Sequence, residues 1–112
     1  MDQRKEILEE NFNEYKEGAE SAYNQKKYNI ATTLFFKAMC AGVDLYILKK
    51  ENIVPSSHTK RFRIVEEKYP QIYEILDRDF PFYQESYTQK SNKEATEVLR
   101  EDVKTITKML KD

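Results

Sequence analysis

The spacing of the apolar residues is the feature that most limits what this chain can fold into. Near its start an apolar side chain recurs every three or four positions, as Leu8, Phe12, Tyr15, Ala19 and Ala22. That interval places them on one face of an α-helix, and no stretch alternates apolar and polar residues long enough to predict a strand. With 2 Gly and 3 Pro in 112 residues, the chain also lacks the turns of a β-sandwich or barrel. The sequence therefore predicts an all-α fold.

Capping residues and prolines set the predicted helix boundaries, because Ser, Asn and Asp side chains accept hydrogen bonds from the first free N–H groups and proline favours a helix start. The predicted boundary residues are Asn29, Ser57, Pro70, Asp79 and Asn92. The first, second and last helices are long, and the region between 55 and 90 is broken into two or three short ones. We expect an up-down bundle of five to six helices in a single domain spanning residues 1–112.

Charge is unevenly distributed although the whole chain has a net charge of −1. Residues 21–68 carry 9 basic and 4 acidic groups, and the basic ones concentrate at one predicted end of the bundle. The six residues of this predicted basic site are Lys49, Lys50, His58, Lys60, Arg61 and Arg63. With the free N–H groups of a helix start, exposed cations in this position can bind a phosphate, a nucleotide or a nucleic-acid backbone. The alternative is that they only solvate a helix end.

Chemistry that depends on metals or cofactors is not predicted. His58 and Cys40 are the only histidine and cysteine, so a His/Cys metal cluster is excluded, and Cys40 is expected to be a small buried apolar residue. The chain has no Gly-rich phosphate loop, and we expect neither a metal nor a cofactor. We also expect no uninterrupted apolar run of about 18 residues and no signal peptide, and so a cytoplasmic protein without a membrane contact.

Three segments together carry a resemblance to a known family. They are a second helix containing Lys37-Ala38, the turn Pro55-Ser56-Ser57-His58, and an aromatic break at Phe80-Pro81-Phe82-Tyr83. In these segments the chain resembles the HEPN (higher eukaryotes and prokaryotes nucleotide-binding) superfamily. The resemblance spans roughly residues 10 to 110 and implies an up-down helical bundle that commonly dimerises. It further implies either a partner of a minimal nucleotidyltransferase or a metal-independent RNase.

The chain departs from the RNase members of that superfamily, in which an arginine precedes a histidine by four to six residues. No arginine stands at that distance before His58, and the nearest analogue is Arg78 followed by Tyr83. A tyrosine has a pKa near 10 and cannot replace an imidazole at neutral pH. We therefore predict a non-catalytic protein with no catalytic residues. Arg78 and Tyr83 are the pair that a degenerate RNase of toxin type would have to use.

The predicted function is binding of a nucleotide, a nucleic acid or a nucleotidyltransferase-type partner by a non-catalytic, HEPN-like protein. A helical interaction module without nucleotide binding is the other alternative to the degenerate RNase. A homodimer is expected because the small residues Ala38, Ala41 and Gly42 and the 8 tyrosines indicate more apolar helix surface than one core of this size consumes.

Overall fold

The computed structural model describes residues 2–112, which form five α-helices and no strand. The helices are α1 (Arg4–Asn24), α2 (Tyr28–Glu51), α3 (His58–Lys68), α4 (Pro70–Glu85) and α5 (Lys93–Lys111). The predicted all-α class is confirmed, with three long helices and two shorter ones between residues 55 and 90.

The second helix, α2, is the centre of the fold and packs against α1, α5 and α4. Most of its side chains are buried, including the large apolar residues Phe35, Phe36 and Met39. At Gly42 the neighbouring helices come so close that an added Cβ would lie 2.8 Å from Ile106 of α5 and 3.0 Å from Phe12 of α1. The small-residue strip of α2 is thus covered within the chain itself, where Ala38 is 0% and Ala41 7% exposed.

Three predicted helix starts are confirmed. The Ser57 side chain accepts a hydrogen bond from the Lys60 N–H at 3.2 Å, and the Asn92 side chain accepts one from the Ala95 N–H at 2.8 Å. Pro70 is the first residue of α4. An N–H group at this position would have no acceptor within the helix, so proline loses no helical hydrogen bond there. These local signals require no knowledge of the remaining fold.

Two other predicted boundaries are wrong. Asn29 lies inside the first turn of α2, and its side-chain amide donates to the carbonyls of Ser86 and Gln89 in the α4–α5 connection. Asp79 does not begin a new helix, because α4 continues through Pro81 to Glu85. Pro81 removes one helical hydrogen bond. Packing of Phe80 and Tyr83 against Phe36, with ring centroids 5.7 and 4.8 Å apart, offsets that loss.

One helix of the described residues, α2 (Tyr28–Glu51), is long and apolar enough to cross a membrane by length and composition alone, although Lys37 and Asp44 interrupt its apolar sequence. However, 72% of its most apolar window is buried within the bundle, as in the central helix of a helical core.

Candidate functional site

A buried ion pair joins α3 to α2. The Arg61 Nε and Nη2 groups donate to the two carboxylate oxygens of Asp44, each at 2.8 Å. Arg61 is 9% exposed and Asp44 5% exposed, so both charges are almost fully removed from water. The two-pronged geometry is the arrangement that a planar guanidinium makes best with a carboxylate. The expectation that Arg61 is a free surface cation is therefore wrong.

The same guanidinium orients the only histidine of the chain. Arg61 Nη1 lies 2.8 Å from His58 Nδ1, and since arginine can only donate, Nδ1 must accept. The remaining imidazole proton is therefore on Nε2. Desolvation of the ring, and then the positive charge of Arg61, lower the pKa of His58 below its usual value. At neutral pH His58 is an uncharged ring with one fixed N–H donor.

His58 and Arg61 line a cavity of about 210 Å³ between α1, α2, α3 and α4. Lys37 and Asp44 line it from α2, and Tyr83 lines it from α4. The polar residues that α1 adds to its wall are Asn11 and Tyr15. Lys37 and Arg61 outweigh Asp44 by one positive charge, so we call this the cationic cavity. Its polarity suits a small anion better than an apolar group.

A second depression of about 490 Å³ lies between α3 and α4, and His58 lines it as well. We call it the aromatic depression, because Phe62, Tyr73 and Phe80 form much of its wall. The Phe62 ring meets Tyr73 and Phe80 edge to face, with centroids 6.4 and 5.5 Å apart. Arg63 of the predicted basic site also lines it. His58 thus stands between a cationic cavity and a set of aromatic faces.

Tyr83 lines the cationic cavity from α4 and contacts Phe36, His58 and Tyr87. Its ring is stacked on Phe36 and lies 6.5 Å from the His58 ring, and its hydroxyl is 2.9 Å from that of Tyr87. The hydrogen bond with Tyr87, followed by burial, raises the pKa of Tyr83 to about 12. Burial likewise raises the pKa of the Cys40 thiol, which lines the cationic cavity, to about 11. Both groups keep their protons at neutral pH, so neither is an activated nucleophile.

The structure separates the other members of the predicted basic site. Lys49 lines a different cavity, between α1, α2 and α5. The Lys50 ammonium lies 5.5 Å from the ring centroid of Tyr46. Lys60 is exposed, and only its main-chain N–H has a role, in the cap of α3. Only His58, Arg61 and Arg63 of the six contribute to the two depressions just described.

Arg78 and Tyr83 have different partners, although both belong to α4. Arg78 donates to Asp102 of α5 at 2.6 Å and to Asp79 at 3.3 Å. Tyr83 instead contacts α2 and His58. Arg78 therefore forms an ion pair that joins α4 to α5. No observation favours a catalytic role for Arg78 together with Tyr83 in an RNase.

Sequence reasoning missed Lys37, Asp44, Asn11 and Tyr15 as members of the site. One signal was present, since Asp44 is the only charged residue between Ala38 and Leu48 of a strongly apolar helix. A carboxylate that is buried there needs either a cationic partner or a bound proton. Asn11 and Lys37 have surface-type spacing on their helices, and Tyr15 belongs to the apolar stripe of α1, so none of these three gives such a signal.

No group of three or more His, Cys, Asp or Glu side chains within residues 2–112 is arranged to hold a metal ion. Comparison of the chain with family models, with curated proteins and with solved structures gives no match in any of the three.

Proposed function

We propose that this protein is a non-catalytic, HEPN-like helical protein that binds a nucleotide or a short single-stranded RNA. The observation that carries the proposal is the position of His58, fixed by Arg61 between the cationic cavity and the aromatic depression. A phosphate fits the first and a base the second, because a base stacks on aromatic side chains whatever its sequence. The cytoplasm is the compartment that suits such a ligand.

The cationic cavity has the size and donors for one phosphate group. Its volume of about 210 Å³ is below the range of roughly 300–1,000 Å³ that holds a whole drug-sized ligand. Lys37 supplies a positive charge. His58, which is uncharged at neutral pH, can donate its Nε2–H to a phosphate oxygen. The aromatic depression has room for the attached base, and its Glu66 and Asp77 carboxylates can accept from exocyclic amino groups.

Binding is tested by fluorescence anisotropy with a labelled single-stranded RNA of about eight nucleotides. If two phosphates are neutralised, we expect affinity to fall roughly sevenfold between about 50 and about 200 mM salt. Lys37→Glu is expected to weaken binding for all sequences and to lower the magnitude of the salt slope by about 1 or more.

Lys60→Glu is the matched control, because it reverses the same charge on an exposed residue that lines neither depression. It is expected to have only the small effect of a screened surface charge. Absence of binding at about 50 mM salt, or equal losses for the two variants, would refute the site and leave a helical interaction module. Arg61→Glu is unsuitable here, since it would bury a second carboxylate beside Asp44.

The homodimer and a nucleotidyltransferase-type partner remain proposals. With the strip on α2 covered, the support that is left for a dimer is the tyrosine surface, where Tyr87 is 74% exposed and next to half-buried Tyr83. Exposed aromatic rings are enriched at protein interfaces. Sedimentation equilibrium is expected to show twice the 13.4 kDa chain mass, with Tyr87→Ser shifting the equilibrium toward monomer. A 13.4 kDa species alone would contradict the dimer.

A further inference from the structure

A trough runs between α1 and α5, with the last turns of α2 as its floor. Both helices press on α2 at Gly42, and beyond it, toward the end of α2, half-buried Leu48 and Leu45, which is 8% exposed, line a cavity of about 650 Å³. Phe12 and Leu110 complete the apolar part of this cavity. A second cavity of about 500 Å³ shares Lys16 and Thr107 with the first, but its apolar residues Phe35 and Val103 are only 1% and 3% exposed. The open apolar floor is therefore that of the larger cavity.

The mouth of this trough is positively charged. Lys16, Lys49 and Lys111 line the larger cavity, and none has a carboxylate oxygen within 4.0 Å in residues 2–112. The Lys16 ammonium instead lies 4.4 Å from the ring centroid of Phe12. The two acids of the lining, Asp2 and Glu9, are each already paired, with Arg4 and Lys5. Uncompensated ammonium groups thus surround an apolar floor.

We propose that the trough binds a linear amphiphile that has one carboxylate, in the manner of an unbranched fatty acid. The acyl chain would lie on the apolar floor, and the carboxylate would be held among the lysines at the mouth. The cavity lies within the volume range of small-molecule sites. A partner helix fits less well, since the α1 wall that it would contact carries Lys5, Glu9, Asn13 and Lys16, and the apolar contact is confined to the floor.

Isothermal titration with octanoate, decanoate and dodecanoate below their aggregation concentrations tests the proposal. Each additional methylene is expected to tighten binding by about two- to fourfold while floor remains to be covered. The methyl ester of decanoate, which has no charge, is expected to bind more weakly than decanoate. A double variant, Lys49→Glu with Lys111→Glu, is expected to abolish that preference for the acid.

Lys93→Glu with Lys108→Glu is the matched control on α5, because both lysines are exposed and neither lines either cavity of the trough. It is expected to preserve the preference for the acid. Absence of binding, an affinity independent of chain length, or equal affinity for the acid and its ester would each overturn the proposal. The Lys37→Glu variant is expected to bind decanoate with unchanged affinity. The experiments therefore test the trough proposal and the nucleotide-site proposal independently.

Discussion

Asp44→Ala is expected to lower the free energy of unfolding by about 3–5 kcal/mol, which is a large part of the stability of a domain of this size. The substitution leaves the Arg61 guanidinium buried with no carboxylate to compensate its charge. Much of the loss therefore comes from an unpaired buried charge and not from the attraction of the pair itself. Urea unfolding followed by circular dichroism measures it, as a shift of the midpoint with little change in slope.

The double variant Asp44→Leu with Arg61→Met separates these two contributions. It replaces the ion pair by apolar side chains of similar volume, and we expect it to recover most of the stability lost in Asp44→Ala. Equal loss in the single and double variants would show that the attraction within the pair, and not desolvation, dominates. Even so, nucleotide binding is expected to remain impaired in the double variant, because His58 loses the donor that fixes its tautomer.

Asp79→Asn is expected to stabilise the protein by a few kcal/mol at pH 8 and to change little near pH 4. Asp79 is fully buried, one of its oxygens has no partner, and Asp102 lies close by. Burial, followed by interaction with Asp102, raises the pKa of Asp79 from 3.8 to about 8 despite the nearby Arg78. The folded protein then holds a proton that the unfolded chain releases. Stability is therefore lost as the pH rises from about 4 to about 8.

The measurement is urea unfolding of both proteins at several pH values across that range. The difference in unfolding free energy should grow with pH and level off above pH 8, while the isosteric amide preserves the packing. Asp77→Asn provides the control, since Asp77 is exposed on the same helix. A difference that is constant with pH, or one that is reproduced by Asp77→Asn, would contradict a protonated Asp79.

The features that local chemistry determines could be predicted from the sequence. The stripe from Leu8 to Ala22 and the wide apolar face of α2 need only helical periodicity, and a helix with apolar residues on most sides must be central. The caps at Ser57 and Asn92 depend on residues within one turn. In each case, the interacting groups are three or four positions apart in the chain.

The errors occur where distant packing decides the outcome. Pro81 predicts a break, but the aromatic contacts of Phe80 and Tyr83 with α2 hold α4 together through it. Asp79 is of a residue type that commonly caps helices, yet it is fully buried next to Asp102 of α5. Asn29 also resembles a cap, but carbonyls about 60 positions later in the chain bind its amide.

The candidate site was predicted only in part, for the same reason. The sequence places His58 in an anion site because it stands with Lys60, Arg61 and Arg63 at a predicted helix start. The assignment of Arg61 as a surface cation failed, because its surface-type spacing does not reveal a carboxylate 17 positions earlier on a different helix. Lys37 and Tyr15 join the site only through the crossing of α1, α2 and α4. Neither position is distinctive in a single sequence.

The attachment of α3 has a consequence for how binding and local order are linked. The backbone of α3 approaches that of α4 but comes close to that of α2 at few points, so the α2–α3 contact rests largely on side chains such as the Arg61–Asp44 pair. Releasing Arg61 would undock the first turn of α3 and free the His58 ring at the same moment. Formation of the site and docking of this turn are therefore one equilibrium. A ligand that binds only the docked form stabilises it by mass action, in proportion to the logarithm of ligand concentration once the site is near saturation.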